Sequence, residues 1–551
     1  MSISEQTITR LRLHPVGDFV ARTVRSVEYG IADWSGRFQL KQGQEPTIIR
    51  TPRMALEQWK YVLRDVAQSQ KERVLVIATR NQRWTQWAVY TACYILRMGY
   101  QPLVLFSGKE MAQLYGTEPD AFTFWQGVDD IPYVEFVDLD DYEVGNDDEG
   151  VANGRYDAFI QRAAHTIAAY NLRVEEFEPG DDQAQYDQAV ADAEKMLHQA
   201  AWSFDRALGA HPVDRLICPS GLIAKTYAFR EVAQQLGITG AYVEGWAMRP
   251  GHMVWNVDRP ALHHDIEGWM AVLGEWSQKQ AKAAQKYMAF REGDTIADED
   301  WFGNFHQVQR STKTEPLPDA LEQFLQRPGA TCLLGSNVIG DSATLERATL
   351  FRSQQAWIRQ VVAFFKQHPE LNLVMRAHPD EVHQRAKLRL GNIATEAAAG
   401  AKNILVIHGH EDVNTYSIVE HIDVGLAWVS NIGLDMAVRG KPVILAAAAQ
   451  YAHLGTCYTP TTEEAYFQLI LQQATEPVGP KKAAVQRGHM YHHIIFKMMS
   501  LLADSPRYDA IDYRLGAVDP TSEWHTFYRI LVGELSDKGR PLAPDMAQIE
   551  E

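Results

Sequence analysis

The chain has 551 residues, of which 46% are hydrophobic and 22% charged. Its mean hydropathy of -0.29 lies in the globular range, outside the disordered and fibrous ones, and the length allows about two to four domains. Lys plus Arg number 53 against 70 Asp plus Glu, a formal charge of -17, which argues against nucleic acid as a partner and leaves only a local basic pocket to hold phosphate. Four scattered cysteines without Cys-x-x-Cys spacing indicate neither a disulfide framework nor a thiolate zinc site and fit a reduced cytosol. The N-terminal MSISEQTITRLRLHP lacks the apolar core of a signal peptide. No run approaches the roughly 18 apolar residues of a membrane span. The expectation is a cytoplasmic protein whose only membrane contact would be peripheral, at the inner face of the cell membrane.

In chain order, residues 73–79 (RVLVIAT), a helical stretch over 84–98 and residues 101–106 (QPLVLF) give a β-α-β rhythm. Residues 138–149 (DLDDYEVGNDDE) carry seven acidic residues and no basic one, which reads as a solvated loop. Helices are expected over 156–170 and 183–208, followed by a strand at 215–218, a helix at 223–236 and a strand at 241–243 leading into Glu244. From 251 to 328 the pattern turns helical and polar, with QKQAKAAQKYMAF as a helix and a Pro-punctuated connector that suggests a boundary near 310–330. A regular series follows: strands at 331–334, 371–375, 404–407, 424–428 and 443–445, with helices at 354–367, 380–390, 415–421 and 432–438. That alternation argues a doubly wound parallel sheet. The tail, 490–503 (MYHHIIFKMMSLLA), is apolar on more than one face and is expected to pack back on the first domain.

In such sheets ligands gather outside the carboxyl ends of the strands, so the residues following each strand are the ones to inspect. They are Gly335-Ser336-Asn337 with Asp341 beyond, Arg376-Ala377-His378-Pro379, His408 to Asp412, and Ser430-Asn431-Ile432-Gly433. GSNVIGDS has the glycine spacing of a phosphate loop, but Asp341 stands where that motif needs a Lys, so the ATPase reading is rejected. Arg376 can offer a planar fork of donors to phosphate, and Pro379 holds His378 extended. Ser430 or Asn431 can cap a helix whose N-terminus attracts anions, and Gly433 permits close approach. His408, His410, Glu411 and Asp412 lack a second ligand cluster, as does His263-His264-Asp265, so no metal is assigned.

These residues resemble the bacterial capsule polysaccharide biosynthesis proteins, a group of glycosyltransferases that includes Kdo-transferase-like capsule proteins. Four stretches carry the resemblance: YVEGWAMRP at 242–250, LGSNVIGD at 334–341, LVMRAHP at 373–379, and VSNIGLDMAVRGKPV at 429–443 with its continuation to 466. Together they cover about 225–470. The family commonly has Ser-Thr-x-Gly-x-Glu where this chain has Ser430 to Asp435, so a sugar contact expected of that Glu falls to Asp435. The Glu-Gly-x-x-Arg-Pro match suggests an acceptor-side role for Glu244 and Arg249.

The resemblance implies an α/β, GT-B-like fold: two Rossmann-like domains facing a central cleft, with a helical insertion and a C-terminal helical tail. The expected division is 1–320 for the acceptor side, 321–485 for the nucleotide-sugar side and 486–551 for the tail. The implied activity is metal-independent transfer from a nucleotide-sugar donor to a surface or capsular glycan, free or lipid-linked, with no cofactor. Glu244 is the first choice of base and Asp341 the second. Ser336, Asn337, Arg376, His378, Ser430, Asn431, Gly433 and Asp435 would hold the donor. A sugar-nucleotide epimerase, a polyol-phosphate transferase and a non-catalytic scaffold of polysaccharide assembly are the alternatives, and a homo-oligomer remains open.

Overall fold

Short runs of valine, leucine and isoleucine, apolar on both faces, are the mark of strands buried between two layers of helices, and they build both sheets of this chain. The computed structural model describes residues 60, 63, 66, 71–79, 81–117, 128, 131–144, 154–178, 183–245, 252–294, 304–382, 388–502 and 523–535. In the first lobe they form β1 (Arg73–Ile77), α1 (Gln82–Arg97), β2 (Gln101–Phe106), α2 (Gly108–Thr117), β3 (Glu135–Asp138), α3 (Asp157–Leu172), α4 (Gln183–Ala210), β4 (Arg215–Pro219), α5 (Ala224–Gln235), β5 (Thr239–Gly245), β6 (His252–Val257) and α6 (Ile266–Leu273). Three helices lead onward: α7 (Gln278–Arg291), α8 (Asn304–Ser311) and α9 (Asp319–Leu325). The second lobe runs β7 (Thr331–Gly335), α10 (Gln354–Gln367), β8 (Asn372–Arg376), α11 (Leu390–Ala398), β9 (Ile404–Ile407), α12 (Thr415–Val419), β10 (Val424–Ala427), α13 (Asn431–Val438), β11 (Val443–Leu445) and α14 (Glu463–Thr475). Then come α15 (Lys482–His493), β12 (Ser500–Leu502) and α16 (Glu523–Leu531).

The first sheet has the order β12-β6-β5-β4-β1-β2-β3, with β6 antiparallel to both its neighbours and every other pair parallel; the second is all parallel, β11-β10-β7-β8-β9. Both therefore reverse direction between their first strand and the fourth, which is the Rossmann switch point. Alternation along β1 sends Val74 and Val76 to the face covered by α1, and Leu75 and Ile77 to the face covered by α3, α4 and α5. Each fully buried aliphatic side chain contributes roughly 1.5–3 kcal/mol.

Sequence and structure part company in several places. The chain from 252 to 257 is a strand, not helix: HMVWNV lies antiparallel on β5, with Trp255 opposite Val243. Within the expected helix at 380–390, Pro379–Val382 form a short 3-10 turn and the next helix starts at Leu390, whose N–H is taken by the Glu381 carboxylate; residues 383–387 lie outside the described residues. The acidic run is not wholly solvated. Asp138 accepts from Gly108 N at 2.9 Å and Asp140 from Lys109 N at 2.7 Å, so both satisfy the open N–H groups at the start of α2; residues 145–149 lie outside the described residues. In the tail, β12 pairs with β6, Leu501 opposite Met253, and Tyr528 of α16 stacks on Tyr94 with ring centroids 4.2 Å apart. The connecting helices are tied to the second lobe: Arg291 of α7 reaches Asp435 of α13, and Asn414 donates to the carbonyls of Glu292 and Gln309.

Candidate active site

Because the second sheet is parallel and in register, Gly335 pairs with Arg376 and with Ala427, and Arg376 with Ile407. Ser336, Arg376, His378 and Ser430 therefore emerge along one edge. Most of the polar groups gathered there are spent on one another. Arg376 is 2% exposed, and its guanidinium donates to the carbonyls of His408 (2.5 Å), Glu411 (3.1 Å) and Val413 (3.4 Å). The loop after β9 folds inward over β8 and leaves carbonyls that need donors, so Arg376 fastens that loop and its terminal nitrogens are not held out to a phosphate. Burial brings its pKa down to about 10, against the pull of Glu411 and Asp412.

Asp435 offers nothing to a donor either. It is fully buried, bound by Arg291 Nε (2.7 Å), the Tyr416 hydroxyl (2.7 Å) and His492 Nε2 (2.9 Å). Burial would raise its carboxyl, but Arg291 and then His492 outweigh it and hold the group below the usual carboxylate range. Gly433 is glycine because a Cβ there would come within 2.4 Å of the Tyr451 hydroxyl, which donates to the Ser430 carbonyl at 2.5 Å. Ser430 makes no side-chain cap, and Asn431 accepts from the Tyr491 hydroxyl at 3.4 Å. Asn337 stitches two strand ends together, its N–H donating to Gln354 Oε1 at 3.0 Å and its Oδ1 accepting from Val429 N at 3.2 Å. Ser336 is buried. His378 accepts from Asp380 N at 3.1 Å through Nδ1; burial lowers its pKa, opposed by Asp380 and Asp341.

The first sheet's carboxyl edge is different. A cavity of about 980 Å³ opens there, at the switch point between β1 and β4. Ala78 and Thr79 follow β1, Ser107 follows β2, Ser220 follows β4, and Glu244 lies near the end of β5. Trp84, Phe106 and Tyr170 supply aromatic wall, and Glu110 and Lys225 face it as an ion pair at 2.9 Å. Ser342, from the second lobe, completes the lining. Its neighbour Asp341 caps the turn at 342–344 by accepting from Ala343 N at 3.0 Å, while Arg173 Nη1 donates to the Gly340 carbonyl at 2.6 Å. The two candidate bases thus stand at or beside one cavity. Glu244 Oε1 accepts from Gly245 N at 3.1 Å. Arg249 lies outside the described residues.

The lobes are joined by three carboxylates of one loop. Glu175 accepts from the first two N–H groups of α10, Gln354 at 2.7 Å and Gln355 at 2.9 Å. Glu176 accepts from Glu346 N at 3.2 Å, and Glu178 pairs with Ser353 and Arg352. Negative charge at a helix N-terminus is favourable. Burial nevertheless pushes Glu175 up to about 7, against the hydrogen bonds from Gln355 and Gln354.

Thr79, Ser107 and Lys225 were not among the expected site residues, although Thr79 ends one predicted strand and Ser107 directly follows another. The rule that picked out the second domain's strand ends applies equally to the first.

Two Rossmann-like lobes, with loops from the carboxyl ends of both sheets meeting at a shared cavity, define a GT-B type of fold. Residues 280–483 match the family model for capsule polysaccharide biosynthesis proteins. That stretch holds most of α7 and every strand of the second sheet, a little over a third of the chain, and there the resemblance read from the sequence is supported. No curated protein matches the chain. Among solved structures the chain is similar to the β-Kdo 2,4 transferase KpsC of Thermosulfurimonas dismutans, at 13% identity over 51% of this chain and 79% of that one, TM-score 0.33. It is also similar to a putative UDP-N-acetylglucosamine 2-epimerase of Listeria monocytogenes, at 12% identity over 80% and 94%, TM-score 0.24. A third is the sucrose-phosphate synthase of Thermosynechococcus elongatus, at 10% identity over 84% and 100%, TM-score 0.29. These likenesses are faint, and the strand order defines the fold without them.

Proposed function

We propose that the protein is a glycosyltransferase that moves a sugar from a nucleotide-sugar donor to a surface or capsular glycan. The observation that carries the reading is the cavity to which both lobes contribute, with Glu244 in its wall and Ser342 opposite; the capsule-family match over 280–483 supports it independently. Aromatic faces at Trp84, Phe106 and Tyr170 beside the hydroxyl and amide groups of Thr79, Ser107 and Asn81 suit a sugar, whose ring presents C–H faces and hydroxyl edges.

Transfer requires that a nucleoside phosphate leave, that positive charge at the anomeric carbon be supported, and that the acceptor hydroxyl lose its proton. Glu244 is the proposed base and Asp341, beside Ser342, the second choice. The reading assigns no cofactor and routes no step through a metal. Enzymes lower barriers by about 8–23 kcal/mol, while one charge-assisted hydrogen bond gives roughly 1.5–3 kcal/mol. Positioning donor and acceptor between the lobes must supply much of the remainder.

The test is single-turnover transfer with a nucleotide sugar and a glycan acceptor. Glu244→Gln is expected to slow the chemical step by about 100- to 10,000-fold and to leave donor affinity intact; wild-type transfer by this variant rejects the base assignment. Conversion of donor in the absence of acceptor would instead identify an epimerase.

A further inference from the structure

Beside the large cavity, a second hollow of about 440 Å³ opens between the lobes. The first-lobe wall is the loop after β6, with Arg259, His263 and His264; the second-lobe wall is Arg347 and the loop carrying Gln450 and His453. Gln450 Nε2 closes one side by donating to the Leu262 carbonyl at 2.8 Å. Leu262 also lines the large cavity, so the two spaces are neighbours.

Arg259 and Arg347 line this hollow beside two histidines, and each wall holds a buried nitrogen without a hydrogen-bond partner. Arg347 Nε is buried without a hydrogen-bond partner, and so is His263 Nε2 on the facing wall. Glu346, the nearest acidic neighbour of Arg347 in sequence, is occupied elsewhere, accepting from the Tyr227 hydroxyl at 2.7 Å. On the rim, Asp265 is engaged as well, capping α6 through Gly268 N at 3.2 Å and pairing with Arg259 at 3.6 Å; Glu267 is exposed. Burial, reinforced by Arg347, holds His263 and His264 down to about 3, so both rings are neutral at physiological pH. A half-buried guanidinium without a carboxylate is costly to a fold, and an arginine facing a histidine across a hollow complements an oxyanion.

We propose that this interlobe hollow binds a phosphate group, with Arg347 and His263 approaching its oxygens from opposite lobes and Arg259 and His453 flanking it. Resting on the transferase reading, the phosphate is that of the nucleotide donor, set beside the cavity where Glu244 stands. The volume admits more than a bare phosphate and falls within the usual range for small-ligand sites. The tyrosine next to Gln450 links this wall to the second sheet's edge: Tyr451 holds the Ser430 carbonyl and crosses Gly433. The helix expected to meet the phosphate thus stands behind a loop whose front face lines the hollow.

Calorimetric titration of the full chain with uridine diphosphate, cytidine monophosphate and inorganic phosphate tests the assignment. Wild type is expected to bind a nucleotide, and Arg347→Ala to weaken it about 10- to 100-fold with no fall in melting temperature. Should Arg347→Ala not fold, His263→Gln and the exposed Arg259→Ala serve instead, each expected to weaken binding by about threefold or more. Equal binding to wild type and these variants, or no binding of any of the three probes to wild type, overturns the site. Arg347-dependent phosphate binding with no gain from the nucleoside keeps the anion site and reassigns its phosphate to the acceptor. Arg347-dependent nucleotide binding without sugar transfer keeps the site and removes the transferase reading.

Discussion

The two lobes share a strand order and differ at their carboxyl edges. In the first, residues after β1, β2 and β4 stand around an open cavity of about 980 Å³. In the second, Asp435, Asn337 and the terminal nitrogens of Arg376 are engaged by internal hydrogen bonds. Residue type at a strand end therefore says that a polar group is needed there, and only packing says whether it serves the protein or a ligand. Arg347 and His263, which no strand-end rule selects, each keep a buried nitrogen without a hydrogen-bond partner, as Arg376 keeps its Nε and Ser336 its Oγ at the second edge.

The sharpest way to break this contrast is at Asp435. If the second edge is structural, Asp435→Ala leaves Arg291 and His492 buried without their carboxylate and costs about 3–5 kcal/mol of stability in chemical denaturation. A fully stable variant with impaired donor binding would return Asp435 to the ligand. Arg376→Ala is expected to cost less, about 1.5–3 kcal/mol, by releasing the carbonyls of 408–413. Its nucleotide affinity should match wild type; a loss of affinity at unchanged stability would restore the phosphate role.

The smallest effect concerns the carboxylate bridge between the lobes. With a folded value of about 7 against an ordinary 4.5, Glu175 binds its proton more tightly in the folded than in the unfolded chain. Its contribution to stability is full below about 4.5 and is lost as pH rises through about 7. Melting curves across that window should fall with pH in wild type and flatten in Glu175→Gln; an unchanged slope would show that the grip on α10 is insensitive to charge.

Much of this architecture was legible in the sequence. QPLVLF, ILVI and VIL are strands at the expected residues because buried parallel strands are short apolar runs between turns. The helix at 354–367 also falls where its spacing placed it. What the pattern could not give was pairing over long separations. HMVWNV reads as strand only once β5 and β12 lie on either side of it, and the partner SLL is more than 240 residues away. The same limit hid the site. YVEG placed Glu244 on a strand end, but nothing local says that Arg291 is 2.7 Å from Asp435, or that DRPALHHD will face Arg347.

The pairing of β12 with β6 has a consequence for synthesis. Until residue 502 has left the ribosome, one edge of the first sheet has no neighbour, though nearly all of that lobe was made long before. An uncovered strand is an invitation to the wrong partner, and the second lobe has to be threaded out in full before the right one arrives. The first half of this molecule is thus begun early and finished late, and a truncation that spares every residue near either cavity would still leave it open-edged.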